Sequence, residues 1–128
     1  METQPQIGKI TIAPEVLKTV ARLTTLAVPG VTRLTSPSGV RHLLQRGGGR
    51  LLKRDGGHLL KRDGVKIKVV EDRVQVELYV VTEPDTSMLG LSRQIQAEVT
   101  RAIQDMIGMK VQSVDVHIED VAYSSGIA

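Results

Sequence analysis

The 128-residue chain has length for one small core, and its 41% hydrophobic residues are enough to close it, so a second independent domain is not expected. It contains no cysteine, which excludes disulfide frameworks, thiolate metal sites and thiol nucleophiles. The net charge of +3 is unevenly placed: residues 41–63 hold seven basic side chains against two acidic ones, a local +5 that leaves the remainder at −2, and such asymmetry points to an anionic contact.

The opening Met1-Glu2-Thr3-Gln4-Pro5-Gln6 has neither the basic start nor the apolar run of a secretory signal. Nothing downstream approaches the roughly 18 apolar residues of a membrane span, so the expected location is the cytoplasm. Lys9-Ile10-Thr11-Ile12 alternates like a short strand, and Pro14 suits the first turn of a helix, where its missing N–H costs nothing. The helix buries one face, traced by Val16, Leu17, Val20, Thr24 and Ala27, and stops at Pro29-Gly30. Val31 to Thr35 offers a short strand, broken by Ser36-Pro37-Ser38-Gly39.

A hairpin is the clearest local expectation. A two-residue turn at Glu71-Asp72 pairs Val70 with Arg73, Val69 with Val74, Ile67 with Val76 and Val65 with Leu78 as an apolar ladder. The same register sets Lys66 against Glu77 and Lys68 against Gln75 on the other face, adding an opposite-charge pair. Glu-Asp is not the favoured Asn-Gly turn chemistry, which leaves room for a loop one or two residues longer.

Glu83-Pro84-Asp85-Thr86-Ser87 breaks the strand and supplies N-cap candidates. Met88, Leu91, Ile95, Val99, Ala102, Ile103 and Met106 then trace a helical stripe ending at Gly108; about 20 residues make this helix roughly 30 Å long. Met88, Met106 and Met109 read as core filling. Val114, Val116 and Ile118 alternate in a last strand, with Val111 out of phase as a bulge or a late start would leave it. Tyr123-Ser124-Ser125-Gly126 reads as a fraying end.

The fold class expected is α+β: a small mixed sheet with two helices on one face, in the order β-α-β-(basic loop)-β-β-α-β, as a single domain over 1–128. The opposite sheet face is then polar, and it or an exposed edge strand is the natural surface for self-association.

Three segments stand together: Gly8-Lys9-Ile10-Thr11-Ile12 through Val16 and Val20-Ala21 to Val28-Pro29-Gly30-Val31; the hairpin from Gly64-Val65-Lys66-Ile67 to Leu78-Tyr79; and Ile95-Gln96 with Val99, Met106-Ile107-Gly108, Val111, Val114-Asp115-Val116 and Val121. Taken together they resemble the alkaline-shock, or general-stress envelope, protein family of mainly Gram-positive bacteria. The likeness spans almost the whole chain in the right order. It implies a non-enzymatic, oligomerising bacterial protein of the envelope stress response, with no cofactor or small-molecule substrate. Its implied partners are further copies of itself and other proteins, membrane-anchored in some members, which places it at the inner face of the membrane. Where the family often has a Tyr-Gly pair before the second helix, this chain has Tyr79 followed by Val80 and Val81.

A flexible Gly-rich basic loop is expected at about residues 39–64. Within it Leu51-Leu52-Lys53-Arg54-Asp55-Gly56 is duplicated as Leu59 to Gly64, a period of eight that fits neither helical turns nor a solenoid and suggests slippage. Arg41, Arg46, Arg50, Lys53, Arg54, Lys61 and Arg62 are its candidate anion-binding residues, giving an alternative function as a module for RNA, DNA or anionic lipid. With no Phe or Trp and two Tyr, the chain lacks a base-stacking platform. Gly47-Gly48-Gly49-Arg50 lacks the Gly-Lys-Ser/Thr ending of a phosphate loop and reads as linker. His42, His58 and His117 do not share metal-ligand spacing, so no metal site is expected, and His117 reads as a surface residue. Ser36, Ser38 and His42 have no orienting carboxylate or oxyanion donors nearby in sequence, so no catalytic residues are expected.

Overall fold

A computed structural model describes residues 7–37 and 63–122. In chain order these form α1 (Pro14–Leu26), β1 (Val31–Leu34), β2 (Val65–Val70), β3 (Arg73–Thr82), α2 (Met88–Ala102) with a π turn at Ile103–Ile107, and β4 (Lys110–Val121). The strands make one mixed sheet around β3. β1 and β2 both run antiparallel along one side of it, β1 opposite residues 80–82 and β2 opposite 73–78, while β4 runs parallel along the other side. Val74, Val76, Leu78 and Val80 of β3 meet Leu17 and Ala21 of α1 and Leu91, Ile95 and Val99 of α2 in a single core, so both helices lie on the same sheet face. The α+β class and the two-helix layer are as the sequence predicts.

The expected strand at Lys9–Ile12 is not formed; residues 7–13 have no regular structure, and Ile10 is 91% exposed. An alternating pattern becomes a strand only where a neighbour supplies hydrogen bonds, and no described strand lies beside this one. α1 begins at Pro14 as expected, but its buried stripe is Leu17, Ala21 and Thr25, continued by Val28 beyond the helix, while Val16 and Ala27 are exposed. The stripe is rotated because a threonine can be buried once its hydroxyl is satisfied: Thr25 Oγ1 donates to the Ala21 carbonyl at 2.7 Å.

The hairpin has the predicted register at every pair, from Val65 against Leu78 to Val70 against Arg73, around a two-residue turn. Glu71 meets that turn with φ 59, in the left-handed region that an L side chain disfavours. Ahead of the hairpin, Gly64 (φ 73) sits where β1 and β2 abut; a Cβ there would lie 2.7 Å from the Thr35 carbonyl oxygen. Asp63 fixes this seam by accepting from Val65 N at 3.2 Å and from the ammonium of Lys18 in α1 at 2.9 Å.

Ser87 caps α2 by accepting from Gly90 N at 3.2 Å. The inward residues Leu91, Ile95, Val99 and Ile103 are spaced by four, and each such step overshoots a 3.6-residue turn by about 40°. The π turn corrects the drift. Gly108 N reaches back to the Ile103 carbonyl at 3.1 Å, the widened turn keeps Ile107 against the core, and Met106 is left 69% exposed. Met106 and Met88 are therefore surface residues and not core filling; only Met109 packs on the core. β4 carries the expected bulge near Val111, at Gln112, and a second at Glu119.

Candidate interaction surfaces

The face of β3 away from the helices carries Gln75 and Glu77, which are half-buried, and Tyr79 and Val81, which are buried. Register places Lys66 of β2 on one flank of Glu77 and Asp115 of β4 on the other, with His117 opposite Tyr79. The Tyr79 hydroxyl donates to Glu77 Oε1 at 2.6 Å, and the His117 ring stacks on the phenol with centroids 4.5 Å apart and planes 9° from parallel. Lys66 Nζ stands 5.9 Å from the Tyr79 ring centre, within cation–π range, and His117 Nε2 lies 3.9 Å from Glu77 Oε1. Burial, the bond to Glu77 and the carboxylates of Glu77, Glu119 and Asp115 push the Tyr79 phenol up to about 12. At neutral pH it is therefore a fixed O–H donor. It supplies neither a base nor a nucleophile, and the group acts as a polar clasp joining three strands.

Two grooves mark the described surface, one in the helix layer and one at the β2 edge. One, of about 520 Å³, lies between α1 and α2 over Thr24, Ala27, Val28 and Ala102, with Met106 at its lip and Glu98, Arg101 and Asp105 at its rim. The Arg101–Glu98 separation of 3.7 Å between half-exposed side chains makes a weak surface pair. The other groove, of about 510 Å³, runs beside β2 between Val65, Ile67 and Lys68 and the first turn of α1 at Pro14, Glu15 and Lys18.

The sequence-predicted anion-binding residues, Arg41, Arg46, Arg50, Lys53, Arg54, Lys61 and Arg62, lie outside the described residues, as do His42, His58, Ser38, the Gly47–Arg50 run, nearly all of the duplicated segment and the Tyr123–Gly126 end. Ser36 is buried. His117 does more than the surface role read from sequence, because its partner Tyr79 is 38 positions away and the two meet only through the parallel β3–β4 register. Among the described residues no three His, Asp or Glu side chains are grouped to hold a metal ion. No helix among them is long and apolar enough to cross a membrane.

Residues 2–123 match the sequence pattern of the alkaline shock protein 23 family, which has a cell envelope-related function. This chain belongs to that family. The match takes in every described element from α1 to β4 together with the basic stretch between β1 and β2, in agreement with the resemblance read from the three sequence segments. No curated protein matches the chain. Among solved structures, a zinc form of the MamM CTD is similar at a TM-score of 0.48 and 13% identity, covering 84% of this chain and 85% of that one. A manganese form of the MamM CTD is similar at a TM-score of 0.47 and 12% identity, covering 84% and 99%. At that level of similarity they bear on neither ligand nor partner.

Proposed function

We propose that this family member is a non-enzymatic, self-associating scaffold or protein-interaction module that serves an envelope or alkaline stress response on the cytoplasmic side of the membrane. One observation carries the reading. On the open sheet face Tyr79 is bonded to Glu77 and stacked on His117, while apolar groups stand exposed beside the helix groove and at the end of β2. Such a surface offers packing and strand pairing in place of a preorganised polar cleft for turnover. Light scattering coupled to size exclusion tests it: oligomers at micromolar concentration are expected, and a strict monomer sinks the proposal.

A second reading, binding to RNA, DNA or anionic lipid, is favoured by the local charge of residues 41–63. Retention on nucleic acid or anionic vesicles should then fall steeply with salt and disappear when Arg46, Arg50, Lys53, Arg54, Lys61 and Arg62 are neutralised. No retention at low salt removes this alternative.

A further inference from the structure

The two edges of the sheet are built differently. β4 is interrupted by bulges at Gln112 and Glu119, and the Gln96 side chain of α2 donates to the Val114 carbonyl at 3.0 Å, so its edge is bent and one of its acceptors is already used. β2 keeps six consecutive pairs with β3 without a bulge, and no described strand lies along its other side. Lys66 and Lys68 are the charges that guard it.

The segment before α1 is the complement of that edge. Ile10 and Ile12 alternate with Lys9 and Thr11, yet Ile7 and Ile10 are almost wholly exposed, so the pattern of a half-buried strand is present without the burial. The joint between this arm and α1 is stiff. Ala13 precedes a proline and is extended (φ −68, ψ 147), and the Pro14 ring fixes the next φ, so few conformations are open to the joint. A short, restricted joint between a strand-forming arm and a compact body favours exchange between copies over closure within one.

We infer that the arm of one copy pairs as an added strand on the β2 edge of a second copy. This rests on the self-association reading and names the contact. Charge selects the register: with the arm antiparallel, Ile10 opposite Val69 and Ile12 opposite Ile67 put Lys9 across from Val70 and Thr11 across from Lys68, so no two lysines face each other. Sliding the arm by two residues toward the start of β2, with Ile10 opposite Ile67, sets Lys9 against Lys68; sliding it the other way carries Lys9 and Ile10 past Val70, where β2 ends, and loses their strand pairing. Each copy has one arm and one accepting edge, so exchange either closes as a two-fold pair or continues as a chain.

The absence of native cysteine makes the test direct. Ile10→Cys protein is mixed with mass-distinguishable Val69→Cys protein and oxidised; both positions are exposed, and directly opposed residues of neighbouring strands lie close enough to bridge. The mixed disulfide should form at least tenfold faster than one between Ile10→Cys and Met106→Cys, an exposed site far from β2 in the chain. Equal rates overturn the inference, as does an intramolecular bridge in the double variant I10C/V69C, which places the arm on its own edge. Ile10→Asp with Ile12→Asp should abolish the oligomer while leaving the circular dichroism spectrum unchanged; an oligomer that survives both substitutions overturns the inference too. Light scattering of the reduced samples separates the two claims: an oligomer without preferential bridging of the Ile10→Cys and Val69→Cys proteins defeats strand exchange alone, whereas a monomer defeats self-association as well.

Discussion

β3 presents two faces that are held by different physics. On one, Val74, Val76, Leu78 and Val80 are fully buried beneath the helices, and stabilisation follows from apolar area removed from water. On the other, Glu77 and Tyr79 join Lys66 and His117 through one hydrogen bond, one ring stack and neighbouring charges. The first face depends on which residues are apolar; the second depends on which residues are opposite one another. A change of one residue along the strand therefore passes from a site where volume matters to a site where partners matter.

Neighbouring substitutions make that contrast measurable. Leu78→Ala should cost about 3–4 kcal/mol in urea unfolding, because a side chain buried on all sides leaves a cavity. If it costs no more than Glu77→Ala, the two faces are not distinct. Tyr79→Phe keeps the stack and removes the bond to Glu77, so about 1–2 kcal/mol should be lost at neutral pH. Its pH profile identifies the cause. The unfolded phenol ionises near 10.0 and the folded one near 12, so between those values the folded chain holds a proton that the unfolded chain has released. Stability contributed by the neutral phenol is thus complete below pH 10 and is lost as pH rises through 12, and the gap between wild type and Tyr79→Phe should narrow across that window. A constant gap would show that the hydroxyl stabilises by something other than its protonated state. The smallest effect lies at the hairpin turn that joins β2 to β3: Glu71→Gly relieves a positive φ and should raise stability by up to about 1 kcal/mol. A loss there would mean that the side chain holds the turn.

The same distinction explains what could be read from sequence. The hairpin register was legible to the residue because apolar and charged pairs a few positions apart agreed on one alignment. The α2 stripe was legible as far as Ile103, where a π turn, invisible to a 3.6-residue template, turned Met106 outward and kept Ile107 in. Thr25 was missed as a core position because its burial depends on a bond to Ala21 that polarity alone does not announce. The Tyr79–His117 stack was out of reach, since two residues separated by a crossover helix become neighbours only after the β3–β4 register is set. The arm before α1 carried a strand pattern that one copy of the chain leaves unpaired.

The seam at Gly64 has a further consequence for how this sequence can change. β1 and β2 lie end to end along the same flank of β3, with Thr35 N donating to the Tyr79 carbonyl and Tyr79 N to that of Gly64, both at 2.9 Å. The chain therefore departs from the sheet and rejoins it at adjoining points, whatever lies between. Chain-closure entropy grows only logarithmically with contour length, so an eight-residue lengthening of that excursion costs a few tenths of a kcal/mol by order of magnitude. The doubled hexapeptide falls between those two anchoring points, where added chain length carries only this small entropic cost.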